Sequence, residues 1–143
     1  MNCSDIMKKA IVFLARDDTC QTAARLMGDS NVGFLPVVGD GKAIGTLTDR
    51  DICIRVVALD RPAGTLVGDV MTHDVISCYP DDSIETAAET MAENQVSRLL
   101  ICDSSGLLQG IISLSDLPRA DAQRAYEAFQ GVTEREVSNT PNS

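Results

Sequence analysis

Tryptophan is absent and aromatic residues make up only 3% of the 143-residue chain. That excludes a core of large rings and leaves Val, Ile, Leu, Met and Ala to fill the interior at close packing. The single histidine, His73, directly follows Met71-Thr72. It has no obvious partner and reads as a surface residue, and neither a Ser/His/Asp nor a Cys/His constellation forms around it. No P-loop, His-Glu-x-x-His or EF-hand pattern occurs either, so an enzyme is not expected and no catalytic residue is assigned. Basic residues are in short supply, with 12 Lys and Arg against 21 Asp and Glu and a net charge of −9. Such a field opposes non-specific binding to nucleic acid or an anionic membrane, while leaving room for a small anion at a local basic spot. No stretch approaches the roughly 20 apolar residues of a membrane span, and Met1-Asn2-Cys3-Ser4-Asp5 lacks the basic-then-apolar pattern of a signal peptide. The expected location is the cytoplasm. The cysteines at 3, 20, 53, 78 and 102 show no Cys-x-x-Cys spacing, and their odd number does not suit a disulfide framework. Cys53 and Cys102 lie in apolar runs and are expected to pack as small hydrophobes, Cys3 to be exposed, and no metal site is expected.

What the chain does have is a 44% apolar share, ample for a folded domain, and an internal repeat. At an offset of 64, Asp5, Met7, Asp17 and Asp18 match Asp69, Met71, Asp81 and Asp82. Thr22, Ala23, Ala24, Met27, Val32 and Leu35 likewise match Thr86, Ala87, Ala88, Met91, Val96 and Leu99. After one inserted residue, Gly41, Gly45, Thr48 and Asp51 match Gly106, Gly110, Ser113 and Asp116. A collinear series with a single insertion identifies two homologous halves: residues 1–60 and 68–120, a linker at 61–67 marked by Pro62 and Gly64, and a tail at 121–143.

Each half predicts β-α-β-β-α. Asp18 with Gln21 and Asp82 with Glu85 fit helix starts. The buried faces that follow are Cys20, Ala23, Ala24 and Met27, and Ile84, Ala87, Ala88 and Met91. Short strands are expected near Ile11 to Leu14 and Val75 to Cys78. Phe34 to Val38, Ala43 to Leu47, Leu99 to Cys102 and Leu107 to Ile112 read as further strands, and helices are expected to begin near Thr48 and Ser113. Arg119 to Phe129 predicts a last amphipathic helix, with a polar, disordered end at Ser138 to Ser143.

The sharpest repeated motif is G-x-x-[ST]-x-x-D, at Gly45 to Asp51 and Gly110 to Asp116. Two readings compete. The hydroxyl and acid form a capping box and nothing more; or the acid accepts from a vicinal diol such as ribose while the hydroxyl meets a phosphate, a division of labour like that of dinucleotide folds.

The ordered set of Asp5-Ile6-Met7, Asp17-Asp18-Thr19, Leu35-Pro36-Val37-Val38 and Gly45 to Asp51 resembles the CBS domain family. In the second half the resemblance rests on Gly68 to Thr72, Pro80-Asp81-Asp82-Ser83, Val96-Ser97-Arg98-Leu99 and Gly110 to Asp116. It implies an α/β (α+β) fold of two tandem repeats packed as an intramolecular pair with pseudo-two-fold symmetry, and two related clefts between the repeats for adenosine-containing ligands. By that resemblance Asp51 and Asp116 hold ribose hydroxyls, and Thr48 and Ser113 contact ribose or phosphate. Groups near Ile11, Phe34, Leu35, Pro36, Val75 and Leu99 sandwich the base. Arg50 and Arg98 come from different elements of the two halves and suit phosphate. No cofactor is required. The expected ligand is AMP, ADP or ATP, with S-adenosylmethionine, an NAD-type or a cyclic dinucleotide also in range. The expected assembly is a homodimer whose ligand state is read by a regulated protein, and the alternative is a structural dimerisation module with vestigial clefts.

Overall fold

The computed structural model describes residues 1–128. In chain order its elements are α1 (Cys3–Ile6), α2 (Cys20–Ser30), β1 (Phe34–Gly39), β2 (Lys42–Thr48) and α3 (Asp49–Ile52), which runs on into a π-helical stretch, Cys53–Val57. There follow α4 (Val67–Val70), β3 (Ser77–Cys78), α5 (Ile84–Asn94), β4 (Arg98–Cys102), β5 (Leu108–Ser113) and a 3₁₀ turn, Leu114–Asp116. Residues 119–128 form a final helix, α6. The expected tail to Ser143 lies outside the described residues. The α-β-β core of the order β-α-β-β-α appears twice, as the repeat predicts. Leu14 contributes a single parallel bridge to Val37 in place of the first strand.

The chain packs as two compact units that cut across the sequence halves. The first unit comprises residues 10–75 with 102–108; the second comprises 1–9, 76–101 and 109–128. Each sequence half therefore sends its leading segment into the unit built around the other half's hairpin. The equivalence is detailed. Val67 N donates to Asp18 O and Cys3 N to Asp82 O, both at 2.8 Å, and Gly68 N reaches Arg16 O as Ser4 N reaches Pro80 O.

In the first unit β1 and β2 pair antiparallel with a bulge at Val37/Val38, and Thr72 bridges Thr46 on the free edge of β2. In the second the order is β3-β4-β5, with β3 parallel to β4 and Lys8 bridging Ile111 on β5. The cores are separate aliphatic clusters: Leu14, Met27, Leu35, Val37, Leu47, Val67 and Met71 in one, and Ile84, Met91, Leu99, Ile101, Ile112 and Leu117 in the other.

Several expectations are corrected. The helix caps are Thr19 and Ser83, one residue later than Asp18 and Asp82, and they accept from Thr22 N and Thr86 N at 3.1 Å. The aspartates reach backward instead and close the preceding turn, accepting from Ala15 N at 2.8 Å and Tyr79 N at 2.7 Å. Ala24 is exposed, whereas its equivalent Ala88 is buried. Cys3 is fully buried because α1 packs into the second unit, and Cys53 is exposed on the π-helical stretch. Burial pushes the Cys3 thiol up to about 11, with Cys78 and Asp82 adding to the shift, so it packs as an inert hydrophobe. The expected second-half helix from Ser113 stops after one turn. Pro118 lacks an N–H and disfavours a helical residue before it, and Leu117 is accordingly extended (φ −74°, ψ 150°).

Gly45 and Gly110 are required by the incoming leaders. A Cβ on Gly110 would stand 2.6 Å from Met7 Sδ; one on Gly45 would stand 2.7 Å from Met71 Sδ and 2.8 Å from the Thr72 carbonyl oxygen. Gly45→Ala is thus expected to destabilise the fold by about 1–3 kcal/mol through overpacking. Gly64→Ala, with nothing within 4 Å of the added atom, should stay within about 0.5 kcal/mol of the parent. Urea unfolding of the two variants compares them, and equal stability would contradict the packing assigned to Gly45.

Candidate functional site

Both G-x-x-[ST]-x-x-D motifs form a strand-to-helix corner. Strand β2 ends on Thr48, extended at φ −115° and ψ 163°. Its Oγ1 accepts from Asp51 N while Asp51 Oδ2 accepts from Thr48 N, each at 3.0 Å. At the second corner Asp116 Oδ2 accepts from Ser113 N at 2.8 Å and from Ser113 Oγ at 2.9 Å, and Ser113 Oγ also lies 2.9 Å from Ser115 Oγ. The capping reading is therefore realised at both corners, and it holds each acid in one orientation.

The second carboxylate oxygen of each acid meets a cation. Arg55 Nη2 lies 3.5 Å from Asp51 Oδ1, and the same guanidinium donates to Val70 O at 2.7 Å and Thr72 Oγ1 at 3.0 Å. In the second unit Lys8 Nζ lies 3.6 Å from Asp116 Oδ1. Lys8 is the repeat equivalent of Thr72, so one corner takes its cation from the helix and the other from the leader. Burial pushes Asp116 upward, but the Ser113 hydrogen bonds and the Lys8 charge outweigh it and hold the carboxyl below its ordinary value of 3.8.

Ser113 and Arg98 line one open cavity of about 480 Å³, together with Ser97, Leu114 and Ser115. Its remaining wall is α6, through Arg119, Ala122, Gln123 and Tyr126. Asp116 adjoins this cavity through Ser113. The other expected site residues lie elsewhere. Phe34 is half-buried and opposite Thr48 in the β1–β2 register. Leu35, Pro36 and Leu99 are fully buried, with their side chains turned away from solvent. Ile11 and Val75 are half-buried in the first unit, and Arg50 is exposed beside Asp51. The α6 wall was missed by sequence reasoning, although Arg119, Gln123 and Tyr126 stand at i, i+4 and i+7, the spacing of one helical face.

The CBS domain family matches the chain twice, at residues 3–58 and 67–122. The chain belongs to the CBS domain family. The CBS domain-containing protein YhcV of Bacillus subtilis is 42% identical over 113 residues, which cover 79% of this chain and 80% of that protein. A CBS domain protein of unknown function from Thermoplasma acidophilum superposes with a TM-score of 0.78 at 23% identity, over 91% of this chain and 76% of that one. CBSX2, solved in complex with AMP, gives 0.70 at 23% identity over 90% and 98%. At those identities the two structures share the CBS fold. A homoserine O-acetyltransferase of Methanosalsum zhilinae and an inosine-5'-monophosphate dehydrogenase of Thermoplasma acidophilum match over only 23% and 22% of their own length.

The depressed Asp116 gives a pH test. A carboxyl lower in the folded than in the unfolded state contributes stability above its unfolded value and loses it as pH falls through its folded one. The stability difference between the parent and Asp116→Asn, followed by urea midpoints, should be present at pH 7 and shrink only as pH falls below the ordinary carboxyl value of 3.8. A difference independent of pH would rule out ionic anchoring.

Proposed function

We propose that this CBS pair is a regulatory ligand-sensing module that binds adenosine-containing nucleotides such as AMP, ADP or ATP. The observation that carries the reading is the convergence of Ser113 and Arg98 on one cavity, next to an acid held in a fixed orientation. The volume of about 480 Å³ suits a small ligand. In this reading Asp116 takes ribose hydroxyls, Ser113 takes ribose or phosphate, and Arg98 takes phosphate. Asp51, Thr48 and Arg50 serve the same ends in the first unit, with Phe34, Ile11 and Val75 as apolar surface. Leu35, Pro36 and Leu99 contribute backbone, since their side chains are fully buried. The CBSX2 complex supports the reading to the extent that this fold accommodates AMP. A separate protein reads the ligand state, through different ligand affinities of two conformations. The reading includes a homodimer, supported by exposed Ile54 and Val57, three residues apart on the π-helical stretch.

Thermal unfolding against a panel of adenine compounds tests the proposal. A ligand at about 100 times its Kd should add about 2.7 kcal/mol, and stabilisation by none of the panel would sink the reading. Asp116→Ala should weaken binding about ten- to a hundredfold, the worth of a charged hydrogen bond of about 1.5–3 kcal/mol. Calorimetric titration reads that change, and unchanged affinity in both Asp116→Ala and Asp51→Ala would refute the ribose assignment.

A further inference from the structure

At an offset of 65, Pro118 stands where the first half has Cys53. The first-unit helix runs unbroken through that position. In the second unit the proline ends the 3₁₀ turn, and the chain re-enters a helix at residue 119. The restarted helix presents Arg119 and Tyr126 to the cavity that Arg98, Ser113 and Ser115 also line.

Two guanidinium groups thus share one cavity from separate elements. Arg98 Nη1 donates to Ser97 Oγ at 3.2 Å, and among the described residues neither Arg98 nor Arg119 forms an ion pair. At the adjoining corner Asp116 is paired with Lys8 rather than with either arginine. In a chain with 21 acidic and 12 basic residues, two like charges facing one cavity repel each other unless an anion lies between them. Guanidinium forks match phosphate oxygens in geometry as well as charge.

We propose that the second-unit cavity is selective for a ligand carrying a di- or triphosphate chain, gripped by Arg98 and Arg119 together, with Tyr126 and Leu114 offering the surface for its ring. Arg119 and Tyr126 are then specificity-determining residues supplied by the helix that Pro118 restarts. This rests on the nucleotide reading for the ring but not for the phosphate grip, and the two can fail separately.

The test is calorimetric titration of the full chain with adenosine, AMP, ADP, ATP and inorganic triphosphate, repeated on Arg98→Ala, Arg119→Ala and Arg119→Lys. ADP and ATP should bind at least about a hundredfold more tightly than adenosine, and inorganic triphosphate should displace ATP. Arg119→Ala should cost ADP and ATP about ten- to a hundredfold and leave adenosine unchanged, with Arg119→Lys intermediate. Affinity for ATP should fall with added salt. Arg119 is exposed, so unliganded melting temperatures should be unchanged; were a variant to misfold, the displacement and salt series on the parent still decide. Adenosine or AMP binding as tightly as ATP overturns the phosphate grip and leaves the nucleotide reading standing. Triphosphate binding that depends on Arg119, with no contribution from adenine, overturns the nucleotide reading and leaves the grip. Binding of none of the five overturns both.

Discussion

The seat of a methionine on a glycine is the contact from which the rest of each unit follows. Met7 lies over Gly110 and Met71 over Gly45, so closely that no Cβ fits between them. Only a bare strand residue admits the leader at that distance, and the leader then bridges the strand edge, Lys8 to Ile111 and Thr72 to Thr46. Because each methionine belongs to the other sequence half, these seats also fix the exchange of leaders. In each unit the bridge to the glycine-bearing strand is made by the leader of the other half.

The same register sets the electrostatics of the corners. Seating Met7 brings Lys8 alongside Asp116. Seating Met71 brings Thr72 alongside Arg55, which in turn reaches Asp51. Two different side-chain sets reach one outcome, an acid capped on one oxygen and faced by a cation on the other. The two halves thus share an arrangement of charges rather than the residues that make it. The corners differ in their hydroxyls. Both accept from the backbone of the acid, and Ser113 in addition donates to the Asp116 carboxylate and meets Ser115.

Much of this was legible in the sequence because the constrained positions recur. Glycine at 45 and 110, methionine at 7 and 71, and the acids at 51 and 116 announce the repeat, the element order and both corners. The helix caps were misplaced by one because Asp18-Thr19 and Asp82-Ser83 each offer two adjacent capping residues. Only the backbone conformation decides which one faces the helix and which closes the turn before it. The exchange of leaders was not legible, since it is made by backbone hydrogen bonds and by contacts that local periodicity does not encode. That also explains Cys3, which looks exposed near the chain start and is buried by the partner segment it packs on. The cavity wall was half legible: Pro118 and the i, i+4, i+7 row on α6 were present, but amphipathic spacing alone does not say which face meets a cavity.

The exchange also bears on how a ligand in one unit could be felt in the other. Lys8 and Asp116 are held together by an ion pair at 3.6 Å with an exposed lysine end, the kind of contact that contributes little by itself and yields readily to a competing partner. Any ligand that recruits the Asp116 carboxylate competes with Lys8 for it. Lys8 in turn sits on the leader that continues, through residues 9 and 10, into the first unit at Leu14 and its bridge to Val37. The ion pair and the chain beyond Lys8 thus lead from the Asp116 corner to the segment that bridges Val37. Such a link transmits a signal only in proportion to the difference in ligand affinity between two states.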